Sequence, residues 1–89
     1  MTTEQAVKAA EQSYMAAIAL LSRDIKRNKS ELDPAVQARF QETLASIDKT
    51  IDETRRAVRQ HPGDAIAAKY LLAAYQDKVE VLREIASNQ

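Results

Sequence analysis

The sequence predicts an all-α domain, an elongated antiparallel three-helix bundle running up, down and up with coiled-coil-like packing, and three observations lead there. Helix formers dominate, while the breakers, two prolines and one glycine, fall at only two places, Pro34 and Pro62-Gly63. Apolar residues recur by threes and fours through each of the three segments so defined, which is the period of a helix face. Capping residues stand just ahead of each segment. The whole chain, 1–89, reads as one domain with helices over approximately 3–30, 34–60 and 64–87.

The first helix opens with Thr2 and Gln5 at capping-box spacing. Its stripe is Val7, Ala10, Tyr14, Ile18, Leu21 and Ile25. Met15 and Leu20 lie off the centre of that stripe, so they are the predicted exposed apolar residues and the candidate interaction surface. The cluster Arg23, Lys26, Arg27 and Lys29 falls in the last turns, where cations stabilise the negative end of the helix dipole, and needs no nucleic acid to explain it. Asn28-Lys29-Ser30 fits a glycosylation acceptor, a pattern too short to carry weight alone.

Asp33-Pro34 starts the second helix: aspartate accepts from exposed backbone N–H groups, and proline, lacking an N–H, suits the first helical position. The stripe continues through Val36, Phe40, Leu44, Ile47, Ile51 and Val58, with Thr54 filling one row. Asp52 precedes Arg55 and Arg56 by three and four residues, a spacing that predicts local ion pairs. His61-Pro62-Gly63-Asp64 then breaks the chain, with glycine permitting a left-handed backbone and aspartate capping the third helix. That helix carries Ile66, Tyr70, Leu71, Ala74, Tyr75, Val81, Leu82 and Ile85, a broader apolar arc than its predecessors and one suited to two neighbours.

Short connections make consecutive helices antiparallel. The seven-residue recurrences Val7, Tyr14, Leu21 and Ile18, Ile25, Leu32 predict a shallow coiled-coil-like crossing between the first two helices. The expected core is Leu21, Ile25, Phe40, Leu44, Ile47, Leu71 and Leu82, and Leu44→Ala is expected to cost about 2–4 kcal/mol. Tyr14, Tyr70 and Tyr75 read as core or core-edge groups rather than as a stacking platform. With no tryptophan and one phenylalanine the core is thin, which argues against a deep ligand cavity.

Composition excludes several classes of function. Lysine plus arginine equals aspartate plus glutamate at 13 each, and the balance holds within each helical segment, so no excess of positive charge favours nucleic acid. Absent cysteine removes disulfides, thiolate catalysis and cysteine-ligated metal sites. No apolar run approaches the roughly 20 residues of a transmembrane helix, and the first residues lack the regions of a signal peptide, so this segment is expected to be soluble and not membrane-inserted.

No catalytic, cofactor-binding or metal-binding constellation emerges, and the chain reads as a non-enzyme. The sole histidine, His61, sits in a turn before proline without an evident partner and reads as a helix C-terminal residue compensating the dipole. Asp48 with Asp52 and Glu80 with Glu84 share helix faces, but the Glu-x-x-His arrangement of di-metal bundles is missing, and one glycine cannot build a phosphate loop.

Two resemblances bear on function. Ala57 to Asp64, followed by Ala67, Leu71 and Tyr75, resembles the junction between two tetratricopeptide repeats, although no second copy occurs at a 34-residue period. A second resemblance spans nearly the whole chain. Its residues are the Tyr14-x-x-x-Ile18-x-x-Leu21 helix, Leu32-Asp33-Pro34, Leu44-x-x-Ile47-Asp48-x-x-Ile51, His61-Pro62-Gly63-Asp64, Leu71-Leu72-Ala73-Ala74-Tyr75 and Lys78-Val79-Glu80-Val81-Leu82. This pattern resembles the C-terminal, extracytoplasmic helical region of membrane-anchored anti-sigma-factor proteins with an N-terminal zinc-finger domain. The resemblance implies a sensor-side or assembly segment of an inner-membrane regulator, periplasmic, acting through a protein partner or self-association. The cysteine and histidine residues that grip a sigma factor in that family are not in this sequence. The alternatives are a cytoplasmic tetratricopeptide-like interaction module and a small-ligand or metal-sensing bundle.

Overall fold

The computed structural model describes residues 1–28 and 32–89. Three helices, α1 (Thr3–Arg27), α2 (Pro34–Gln60) and α3 (Ala65–Ser87), occupy well over three-quarters of the chain, and there is no strand among the described residues. Each starts where side-chain chemistry directs it. At α1 the capping box closes in both directions: Gln5 N–H donates to Thr2 Oγ1 at 3.1 Å and Thr2 N–H to Gln5 Oε1 at 2.9 Å. Asp33 Oδ1 accepts from Ala35 N–H at 2.8 Å ahead of α2, with Pro34 in the first turn. Asp64 Oδ1 accepts from both Ile66 and Ala67 N–H at 2.9 and 3.1 Å to begin α3.

The helix ends bring two corrections. α1 stops at Arg27, short of residue 30, because Asn28 leaves helical geometry (φ −91°, ψ 31°) while its N–H still closes on the Asp24 carbonyl. Lys29 and Ser30, and with them the full acceptor pattern, lie outside the described residues. At the other break, Gly63 does not use the left-handed backbone glycine allows; no glycine has positive φ. The turn closes instead by Asp64 N–H donating to the His61 carbonyl at 2.9 Å.

α3 is the shared partner of the other two helices. It packs along both α1 and α2, whose backbones do not come close to each other. The predicted α1–α2 seam is therefore replaced by two seams on α3. The reason lies in the stripes: α1 and α2 each have a single apolar face, α3 has the wide arc, and burial is greatest when both narrow faces turn onto the wide one. Among the described residues, seven of the nine buried hydrophobic ones accordingly belong to α3: Ala68, Leu71, Ala74, Tyr75, Val79, Leu82 and Ile85, against Val7 from α1 and Ile51 from α2. Alanine at 68 and 74 lets the flanking helices approach α3 closely.

The molecule is long and flattened, with principal extents of 44 × 21 × 13 Å and a radius of gyration of 14.6 Å. A compact domain of this length would have a radius near about 12 Å. Three helices in a closed triangle, 8–10 Å apart, would span about 14 Å by 12 Å across. The observed 21 Å width exceeds this, in keeping with α1 and α2 standing apart as an open V on α3.

Burial departs from the expected list for the same reason. Leu71 and Leu82 are buried, but Leu21, Ile25, Phe40, Leu44 and Ile47 are only partly so, because the helix that would cover their outer sides in a closed bundle stands too far away. Ile66 and Tyr70, placed in the α3 arc from sequence, are 67% and 63% exposed. They sit about 140° and 100° around the helix from Leu71, beyond the reach of either neighbour. Val36, in the first turn of α2, is also exposed.

Candidate functional site

Two places in the bundle gather side chains from all three helices. The first is a polar clasp at mid-length. Glu11 of α1 lies four residues after Val7 and three before Tyr14, so its carboxylate projects from the apolar face itself. Its Oε2 accepts from Tyr75 Oη of α3 at 2.7 Å and from Arg55 Nε of α2 at 3.1 Å. The Tyr75 ring is buried and stacks on Tyr14, with centroids 5.9 Å apart and planes 4° from parallel. Burial, reinforced by the hydrogen bond and by the negative charge of Glu11, pushes the Tyr75 hydroxyl up to about 12 against the opposing effect of Arg55. The neutral hydroxyl thus stays a donor across the physiological range. The carboxylate is thus held by donors from both other helices, and the clasp ties all three together.

The clasp also redirects a predicted ion pair. Arg55 turns to Glu11 across the gap instead of to Asp52, and the ion pairs among the described residues, Arg55–Glu11 and Lys78–Asp48 at 2.7 Å, both join different helices. A helix-to-helix carboxylate held also by a tyrosine outcompetes a solvated i,i+3 partner. Asp48, read as solvated surface, is engaged by Lys78, and no group of three His, Cys, Asp or Glu side chains that could hold a metal occurs among the described residues. His61 is exposed and caps α2, its backbone N–H donating to the Ala57 carbonyl at 2.9 Å.

The second place is the end of the bundle where α1 finishes, α2 begins and α3 finishes. Ile25, Phe40, Leu44, Leu82 and Ile85 form the apolar floor and sides of an open cleft of about 550 Å³, joined by Leu32. It is a trough in the surface rather than a deep cavity. Its rim is Ser22, Lys26, Gln37, Gln41 and Gln89, and Gln89 Nε2 reaches across to the Ile25 carbonyl at 3.2 Å. Four of the residues expected in the core (Ile25, Phe40, Leu44 and Leu82) meet here.

Met15 and Leu20 are exposed, at 49% and 60%. They do not form one patch. Five residues apart, they point about 140° from each other around α1. Met15 borders the opening between α1 and α2, beside Asp48, Asp52 and Arg55, while Leu20 faces outward.

The helices, the clasp and the cleft define a class, an all-α three-helix bundle built on a shared third helix. No helix among the described residues is long and apolar enough to cross a membrane. No protein-family model, curated protein or solved structure matches the chain.

Proposed function

We propose that this chain is a non-catalytic protein-interaction domain and that the apolar cleft at the α1–α2–α3 end is where it is bound. The observation that carries the reading is the cleft's makeup. An apolar centre drawn from all three helices, with a polar rim whose one charged residue is Lys26, has the anatomy of an interface core; the hollow between α1 and α3 beside Lys69 is as sparsely charged but gathers only two helices, and the other three are bordered by at least three charged residues each. Met15 and Leu20 are secondary surfaces in this reading. A photo-crosslinking side chain at Gln41 tests it in cells: one discrete protein adduct, missing when the same group is placed at His61, is expected. Absence of an adduct from Gln37, Gln41 and Gln89 alike would refute it.

Within this class the motif resemblance supports a narrower proposal, the envelope-side segment of a membrane-anchored anti-sigma-factor protein. The supporting residues run from Tyr14 to Leu82. The surrounding reading frame decides it: a stretch of roughly 20 apolar residues and a Cys/His zinc site upstream are expected, and a frame without them overturns it.

A further inference from the structure

We infer that α1 is a releasable arm, latched onto the α2–α3 hairpin by the Glu11 carboxylate, and that the apolar cleft exists only while the latch is closed. The consequence for binding rests on the interaction-domain reading above; the release itself does not.

Topology lets α1 leave by itself. α2 and α3 follow one another through a turn that closes on itself, Asp64 N–H donating to the His61 carbonyl at 2.9 Å, and they share the fuller seam. The backbone of α1 runs along α3 alone, so it can lift away without parting α2 from α3. α2 has no such freedom, because it is paired on both sides: Arg55 with Glu11 of α1, Asp48 with Lys78 of α3. Elements whose departure leaves the rest of the core intact open separately from global unfolding.

The hold on α1 is concentrated. Val7 is its one buried residue, and Tyr14 and Ile18, partly buried, pack against the same cluster. Within that stretch the polar ties to both other helices end on one atom, since Glu11 Oε2 accepts from Tyr75 Oη at 2.7 Å and from Arg55 Nε at 3.1 Å. The Tyr14 ring lies on Tyr75 beside them. Further along, the tie to the Ile25 carbonyl comes from the exposed Gln89. A single carboxylate therefore fastens α1 to α2 and α3 at once.

The cleft depends on that fastening. Ser22, Ile25 and Lys26 of α1 form one of its walls, while Phe40, Leu44, Leu82 and Ile85 belong to the hairpin. Release takes the α1 wall away, and by linkage a partner that fills the three-walled cleft favours the latched state.

Native-state hydrogen exchange of the whole chain, read helix by helix at pH 7 in low denaturant, tests the inference. Amides in the body of α1 should share one opening level and exchange roughly tenfold or more faster than the slowest amides of α2 and α3. Glu11→Gln makes the latch neutral and weakens the native state against every opening, so it should speed all three helices alike, by roughly tenfold. Val81→Ala separates the two levels. Val81 lines a hollow with Val36, Phe40 and Thr43 of α2 and no residue of α1, so its contacts survive release. The substitution should speed α2 and α3 about fivefold and leave α1 unchanged. A common level for all three helices in the wild type overturns the inference, and that outcome is read even if a variant fails to fold. So does an α1 that Val81→Ala speeds along with the hairpin, or one that Glu11→Gln leaves unchanged.

Discussion

Leucine to alanine at positions 71 and 44 separates the closed and open parts of the bundle. Leu71 is 1% exposed, in a cluster with Val7, Ile51, Ala68, Ala74 and Tyr75, so truncation removes transfer free energy and leaves a hole that its surroundings cannot fill. The cost is about 3–4 kcal/mol. A domain of this length has a total stability of roughly 4–13 kcal/mol, so that loss takes a large share of it. Leu44 borders the cleft and is only partly buried; the space left by truncation opens to solvent, no cavity is created, and the transfer loss is partial, or about 1 kcal/mol in the monomer. This replaces the 2–4 kcal/mol expected from the stripe alone. Urea denaturation followed by helical circular dichroism at low micromolar concentration gives both values. Equal losses at the two positions would show that the end near Leu44 is closed, and the open-V geometry would be wrong.

Three further outcomes follow from the geometry. Tyr75→Phe keeps the ring stack but loses the bond to Glu11, costing about 1.5 kcal/mol at pH 7. Because the folded-state pKa of Tyr75 is raised, its contribution is complete below pH 10 and is lost as pH rises from 10 through 12; wild-type stability should fall by on the order of 2 kcal/mol more than that of Tyr75→Phe in this window, and parallel curves would refute the clasp. Asp64→Ala leaves two N–H groups without their acceptor and should cost about 1 kcal/mol, recovered by Asn, as read from thermal melts. Gly63→Ala meets open space at a residue without positive φ, so stability should hold or rise by about 0.4–1 kcal/mol; a clear loss would mean that the turn uses the left-handed conformation after all.

The local features were legible because local chemistry sets them. Thr2 with Gln5, Asp33-Pro34 and Asp64 each satisfy N–H groups within three residues, and no distant contact can override them cheaply. The breadth of the α3 arc also announced a helix with two neighbours. Hydrophobic period says which residues turn inward but not toward which helix, so the stripe of Val7, Tyr14 and Leu21 was readable while its partner, α3 rather than α2, was not. The cleft escaped for a related reason: Ile25, Phe40, Leu44 and Leu82 look like core by pattern, and only the separation of α1 from α2 leaves them partly uncovered. The clasp had a signal that went unread, a carboxylate at Glu11 inside an otherwise apolar face, where burial demands a partner.

That the shared helix comes last in the order of the chain has a consequence for synthesis. In an up-down bundle whose first two helices pair, the initial hairpin can form while the third helix is still being made. Here α1 and α2 meet through side chains such as Glu11 and Arg55 but not along a backbone seam, so the earliest native unit is the α2–α3 hairpin. α1 must then wait until α3 emerges, about 60 residues after its own last turn, or about 3–12 s at ordinary elongation rates. During that interval Val7, Tyr14, Ile18 and Ile25 have no native surface to cover them. The nascent chain thus carries an uncovered apolar helix face for seconds before the helix that covers it is complete.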